Sequence, residues 1–164
     1  MTSTTEKSAH RRRLAQAGPI SLRLGLLGLV AIGIAGAVLE LAFERHWHSP
    51  VQLIPWVALA LLTVALVLLA VSDARRVVTA VRVLAGVVLL ASAYGVYMHV
   101  SVNHGMGTMD AEWGTLSPLT QWWYALTKSV GTAPPLAPGM LAQAALLLLL
   151  ASLTGKRAPA GPGA

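Results

Sequence analysis

A chain of 164 residues that is 55% hydrophobic and only 11% charged is not an ordinary water-soluble domain. Its net charge of +6 would admit a nucleic-acid partner, but the placement of the charges along the chain argues against one. The absence of cysteine excludes disulfides, thiolate metal sites and thiol redox chemistry.

In chain order, residues 1–18 are polar and basic, with Lys7 and Arg11-Arg12-Arg13, and end at Gly18-Pro19. They are expected to form a disordered cytoplasmic arm. Four apolar stretches then reach or approach the roughly 20 residues a spanning helix needs: Ile20–Phe43, Val51–Val71, Val77–Tyr97 and the shorter Leu136–Leu153. The first is expected to start near Ser21, an N-cap residue following Pro19. A basic start, an apolar run and Ala35-Gly36-Ala37 resemble a cleavable signal, but the run continues to Phe43, so a retained anchor is the reading.

The first span is rich in small residues, and pairs four apart (Ala31/Ala35, Gly33/Ala37) would let a neighbour approach closely in lipid. It is expected to be the central packing helix, continuing toward His48 until Pro50 stops it. The Val/Leu/Ala-rich second span carries no polar feature and is expected to face lipid. Ser72-Asp73-Ala74-Arg75-Arg76 reads as a tight turn, with Arg23 and Arg82 snorkelling to the same interface.

Between the third and fourth spans, Ser117 can cap a helix with Pro118 at its first position. Leu119, Trp122, Trp123, Leu126 and Val130 then recur at helical spacing among polar residues. That pattern predicts an interfacial amphipathic helix over about 117–130. Trp47, Trp56, Trp113, Trp122 and Trp123 all fall on this side, at headgroup depth. Residues 156–164 are read as a disordered tail, leaving 19–155 as one membrane domain.

All the Lys and Arg residues except Arg45 and Lys128 fall on the side of the two termini and the Ser72–Arg76 turn. The positive-inside rule places that side in the cytoplasm, facing anionic headgroups rather than nucleic acid. The other side gathers Glu40, Glu44, His46, His48, His99, His104, Asp110 and Glu112. Glu40 and Glu44 are four apart on one helical face, and a carboxylate near the hydrocarbon edge is by default a functional-site candidate. Tyr94 and Met98 share a face of the third span, with His99 and Asn103 on the neighbouring one. The first and third spans are therefore expected to be neighbours.

Imidazole and carboxylate donors suit Zn²⁺ or Cu²⁺, and thioether with imidazole suits Cu⁺. The candidate metal ligands are Glu44, His46, His99 and His104, with Glu40, His48 and Met98 secondary. No compact ligand motif accompanies them. The same residues could handle protons, or form a structural polar network.

Three stretches resemble a family of small four-span bacterial integral membrane proteins without an assigned activity: Glu44…His46…Ser49-Pro50-Val51-Gln52-Leu53-Ile54-Pro55, Tyr94-Gly95-Val96-Tyr97-Met98-His99…Asn103, and Leu136-Ala137-Pro138-Gly139-Met140-Leu141-Ala142-Gln143. The resemblance implies a bacterial inner-membrane protein. The basic N-terminal arm and His48 depart from that pattern.

The sequence thus predicts an all-α, four-transmembrane-helix bundle with an outer interfacial helix and both termini cytoplasmic. Its expected function is non-enzymatic: binding of a cation (Zn or Cu) or a partner at the outer cluster. An accessory subunit among other membrane-protein subunits, or a small oligomeric transporter or proton-handling protein, are the alternatives. The lipid bilayer is the one partner common to all three.

Overall fold

A computed structural model describes residues 19–154. The expected arm at 1–18 and tail at 156–164 lie outside those residues. The described chain is all-α: α1 (Pro19–Phe43), α2 (Pro50–Val71), α3 (Arg75–Gly107), a 3₁₀ turn (Trp113–Thr115), α4 (Pro118–Leu126) and α5 (Gly139–Leu153). No strand occurs among the described residues. From Leu22 onward α1, and all of α2 and α3, are long and apolar enough to cross a membrane; α5 is apolar but has 15 residues.

The ends of these helices follow local chemistry. Ser49 caps α2, its Oγ accepting the Gln52 N–H at 3.4 Å, and Pro50 opens the helix where a missing N–H costs nothing. Pro50 is therefore the start of α2 rather than the stop of α1. The latter ends earlier, at Phe43, in a Schellman turn. The His46 N–H reaches the Leu41 carbonyl at 2.9 Å, the Arg45 N–H reaches Ala42 at 3.1 Å, and Arg45 takes a left-handed φ of 49°. Ser117 and Pro118 open α4 as the sequence predicts, Ser117 Oγ accepting the Thr120 N–H at 3.2 Å. This helix stops at Leu126, not near Val130. A second Schellman turn closes it, with Lys128 at φ 59° and the Ser129 N–H on the Tyr124 carbonyl at 2.9 Å.

Two helix lengths differ from the hydropathy reading. α3 runs ten residues beyond Tyr97, to Gly107, because no proline or cap interrupts the polar continuation. At 1.5 Å per residue it is about 50 Å long, well past the roughly 30 Å of a hydrocarbon core. α5 starts at Gly139 rather than Leu136, since Pro134, Pro135 and Pro138 hold the preceding segment in turns.

The helices pack in the cyclic order α1, α2, α3, α5, with α5 also touching α2. Contrary to expectation, α5 rather than α1 is central: it buries Leu141, Ala144, Ala145, Leu148, Ala151 and Ser152 against its neighbours. Nor does α2 simply face lipid, since Ala58, Leu59, Leu62, Ala65 and Leu69 are buried in the core. Gly33 does serve close packing, lying against Ala144 of α5, whereas Ala31 and Ala35 face outward. α1 and α3 are diagonal, not adjacent.

At one end of the bundle two arginines complete the C-terminal turns of neighbouring helices. Arg23 of α1 pairs with Asp73 and donates to the Leu69 carbonyl of α2. Arg82 of α3 donates from Nε to Ser152 Oγ at 3.0 Å and from Nη2 to the Ser152 carbonyl at 3.3 Å. Carbonyls there lack intrahelical donors, and a cation also suits the negative end of the helix dipole.

At the other end Asn103 is fully buried. Its Nδ2 donates to the carbonyls of Ala125 (3.1 Å) and Ala133 (2.8 Å), and its Oδ1 accepts the Ala133 N–H at 3.0 Å. Gly131, at φ 75°, lies so close that a Cβ would fall 2.7 Å from Asn103 Cα. One side chain thus fastens α3 to α4 and to the segment leading into α5. Asn103→Ala leaves three backbone groups without their partner and should lower stability by about 2–4 kcal/mol. A lower thermal midpoint, with faster amide exchange confined first to 127–135, is the expected result in lipid nanodiscs.

Candidate functional site

The end of the bundle opposite Arg23 and Arg82 holds a cavity of about 350 Å³. α1 contributes Ala37, Glu40, Leu41 and Glu44, and α2 contributes Val51, Ile54 and Pro55. Tyr94, Gly95, Met98 and His99 come from α3, and Met140 and Leu141 from α5. His46 enters from the α1–α2 connection, and Lys128, Thr132 and Pro134 from the segment after α4. The cavity occupies the diagonal between α1 and α3, which explains why residues of two non-adjacent helices face one space.

Each polar group is placed by a specific local device. Glu40 and Glu44 share a face because they are one helical turn apart. His46 arrives through the Schellman turn, and its carbonyl is held by the Trp56 indole N–H at 2.7 Å. His99 Nδ1 lies 2.5 Å from the Pro134 carbonyl. A carbonyl can only accept, so Nδ1 carries the proton and Nε2 of the neutral ring is left as an acceptor. Gly95 lets α5 close in, since a Cβ there would fall 2.9 Å from Pro138 Cγ. Pro55 has no N–H for the Val51 carbonyl, and both residues line the wall.

The cavity is therefore rich in acceptors. With the imidazoles neutral, its lining residues bring two carboxylates and one ammonium, that of Lys128. Burial holds the His46 pKa below its ordinary value, and the nearby charge of His99 adds to this; Glu44 pulls the other way without prevailing. Glu44 and His99 thus each lie within electrostatic reach of His46.

Of the four primary candidates, Glu44, His46 and His99 line the cavity together with the secondary Glu40 and Met98. His104 does not. It stacks on Trp122 (ring centroids 4.5 Å) and meets the edge of Trp113 (5.3 Å). His48 is exposed beyond the end of α1, its backbone N–H on Gln52 Oε1 at 2.7 Å. Among the described residues no three His, Asp or Glu side chains are grouped to hold a metal ion. Sequence reasoning missed Lys128, assigned to the polar face of a longer helix, and the roles of Thr132, Pro55 and Met140. No local signal marked that earlier end, because the left-handed position that closes α4 is Lys128 itself, where glycine is the usual residue. Trp113 is buried against Gly107 rather than set at an interface.

Compared with known protein families, curated proteins and solved structures, the chain matches none.

A histidine whose pKa is lowered by folding binds its proton more readily in the unfolded chain. Its penalty is absent above the unfolded value of about 6.5 and grows as pH falls below it. The thermal midpoint should thus drop between about pH 7.5 and about pH 5.5. His46→Gln should make that drop smaller. An equal drop in both proteins would remove His46 as its source.

Proposed function

We propose that this is a four-span protein of the bacterial inner membrane that captures a cation or cationic group in a cavity on its outer face. α1, α2, α3 and α5 are the crossings, with α4 lying in the outer interface. The contacts of Arg23 with the end of α2 and of Arg82 with the end of α5 support an even number of crossings. They bring the start of α1, the end of α2, the start of α3 and the end of α5 to one side. α5 is about 22 Å long as a helix, and Leu136–Pro138 would complete its passage. Exposed Leu119, Trp122 and Trp123 on α4 suit the headgroup layer. Positive charge on the arginine side supports cytoplasmic termini.

The observation that carries the function is the convergence of Glu40, Glu44, His46 and His99 on one cavity opposite the arginines. Binding fits better than passage. Below the cavity the core is closed by fully buried Val30, Leu62, Val88 and Leu148, so a single bundle offers no polar path. Zn or Cu is the narrowest form of the cation reading, but it has lost His104 as a ligand.

One observation favours a second reading, an accessory subunit. Gly25, Gly28, Ala31 and Ala35 face outward from α1, and nothing lies within 4 Å of a Cβ built on Gly25 or Gly28. Small residues permit close helix approach in lipid.

Because the chain has no cysteine, single-cysteine variants report orientation cleanly. In intact cells Thr132→Cys should react with a membrane-impermeant maleimide, and Arg75→Cys should react only after permeabilisation. The reverse pattern would turn the cavity inward. Binding itself is tested by titrating Zn²⁺, Cu⁺ and small organic ammonium ions into the nanodisc protein. Saturable binding of at least one, weakened in a Glu40→Gln/Glu44→Gln double variant, is expected. Binding of none refutes cation capture.

A further inference from the structure

We propose that the occupant of this cavity is a monovalent organic ammonium ion with an apolar body, its nitrogen held by Glu40 and Glu44. The inference rests on the cation-binding reading above and names the ligand's chemical class.

Size is the first argument. A volume of about 350 Å³ lies in the range of small-molecule pockets, roughly 300–1,000 Å³, and far exceeds what a bare ion fills. A metal ion would need three or four donors within about 2.0–2.3 Å of one point. The described His, Asp and Glu side chains form no such group.

Lining is the second argument. Ala37, Leu41, Ile54, Met98, Met140 and Leu141 present carbon and thioether surface, which would favour an apolar body over a hydrated ion. An ion that kept its water would leave that surface wet.

Charge and hydrogen bonding settle the head group. Lys128 offsets one of the two carboxylates when the imidazoles are neutral, so a single added positive charge balances the cavity. An anion would meet two carboxylates. A neutral apolar molecule would bury a carboxylate without compensation, which is costly. The acceptor lone pairs outnumber the donors: two carboxylates, His99 Nε2 and one nitrogen of His46 stand against Lys128, the hydroxyls of Tyr94 and Thr132 and the other nitrogen of His46. N–H donors on the ligand supply what the wall lacks. Glu40 is the deeper anchor, one turn further into α1 beside Ala37, and Tyr94 adds an aromatic residue to the same wall, a residue type that attracts cations.

The test uses the full chain in lipid nanodiscs, with empty nanodiscs as blank and calorimetry as readout. The probes are 2-phenylethylamine, the uncharged 2-phenylethanol of nearly the same shape, and Zn²⁺. Saturable binding of the amine, without saturable binding of the alcohol, is expected. Glu40→Gln should weaken the amine roughly tenfold or more, the loss of one charge-assisted contact. Glu40→Asp should recover part of it, and unchanged helical circular dichroism guards against misfolding. Equal affinity for amine and alcohol overturns the proposal, as does amine binding indifferent to both Glu40→Gln and Glu44→Gln. Binding of Zn²⁺ without binding of the amine overturns it while leaving cation capture standing. Binding of neither overturns the proposal and leaves the Cu⁺ and small-ammonium titrations to decide cation capture.

Discussion

The dry middle of the bundle forces every charged side chain toward one of two ends, and the rest of the structure follows from how each end satisfies its polar groups. An uncompensated charge or backbone group in hydrocarbon costs several kcal/mol by general estimates. At the arginine end the solution is complete: Arg23 and Arg82 meet Asp73, Ser152 and the carbonyls that helix ends leave free. At the other end the polar backbone is equally well paired, through Asn103, Trp56 and two Schellman turns. The side chains there are not. Glu40, Glu44 and Lys128 stand around open space instead of closing on one another in ion pairs.

That contrast is what supports the proposal of a binding site over a structural network. Arg45 and Lys128 each hold a left-handed backbone conformation where glycine is the usual residue, at a cost of about 1–2 kcal/mol each. Both conformations redirect the chain at the cavity. The turn at Arg45 folds His46 back over the end of α1, and the turn at Lys128 brings that residue into the wall. A network needed only for stability would gain from glycine at either position, and from an Arg–Glu pair across the gap.

What could be read from the residues divides along the same line. Long apolar runs fix α1, α2 and α3, because a helix is the only unpaired segment that satisfies its backbone in lipid. Ser117-Pro118 and Ser49-Pro50 are local signals, so the starts of α4 and α2 follow from a few neighbours. The end of α1 carries no such signal: arginine at a Schellman position looks like any exposed arginine. The extension of α3 past Tyr97 was legible only in part: helical spacing carried it to Asn103, but hydropathy falls there while the helix continues to Gly107. Central placement of α5 was hidden because a helix apolar all round has no stripe to orient it.

Grouping of the site was legible for residues tied to helix ends and illegible for those placed by tertiary contacts. Glu40, Glu44, Met98 and His99 sit on α1 and α3 by spacing alone, so their shared side of the membrane could be inferred. His104 lies on the same helix five residues beyond His99, and five residues turn it through about 500° at 100° per residue. That is about 140° away from the cavity face, and its ring is instead taken up between Trp113 and Trp122. Counting histidines on one side of a membrane therefore overstates a metal site: direction around the helix decides membership. Four donors become a cavity lined by two imidazoles and two carboxylates, with no three of the described His, Asp or Glu side chains grouped for an ion.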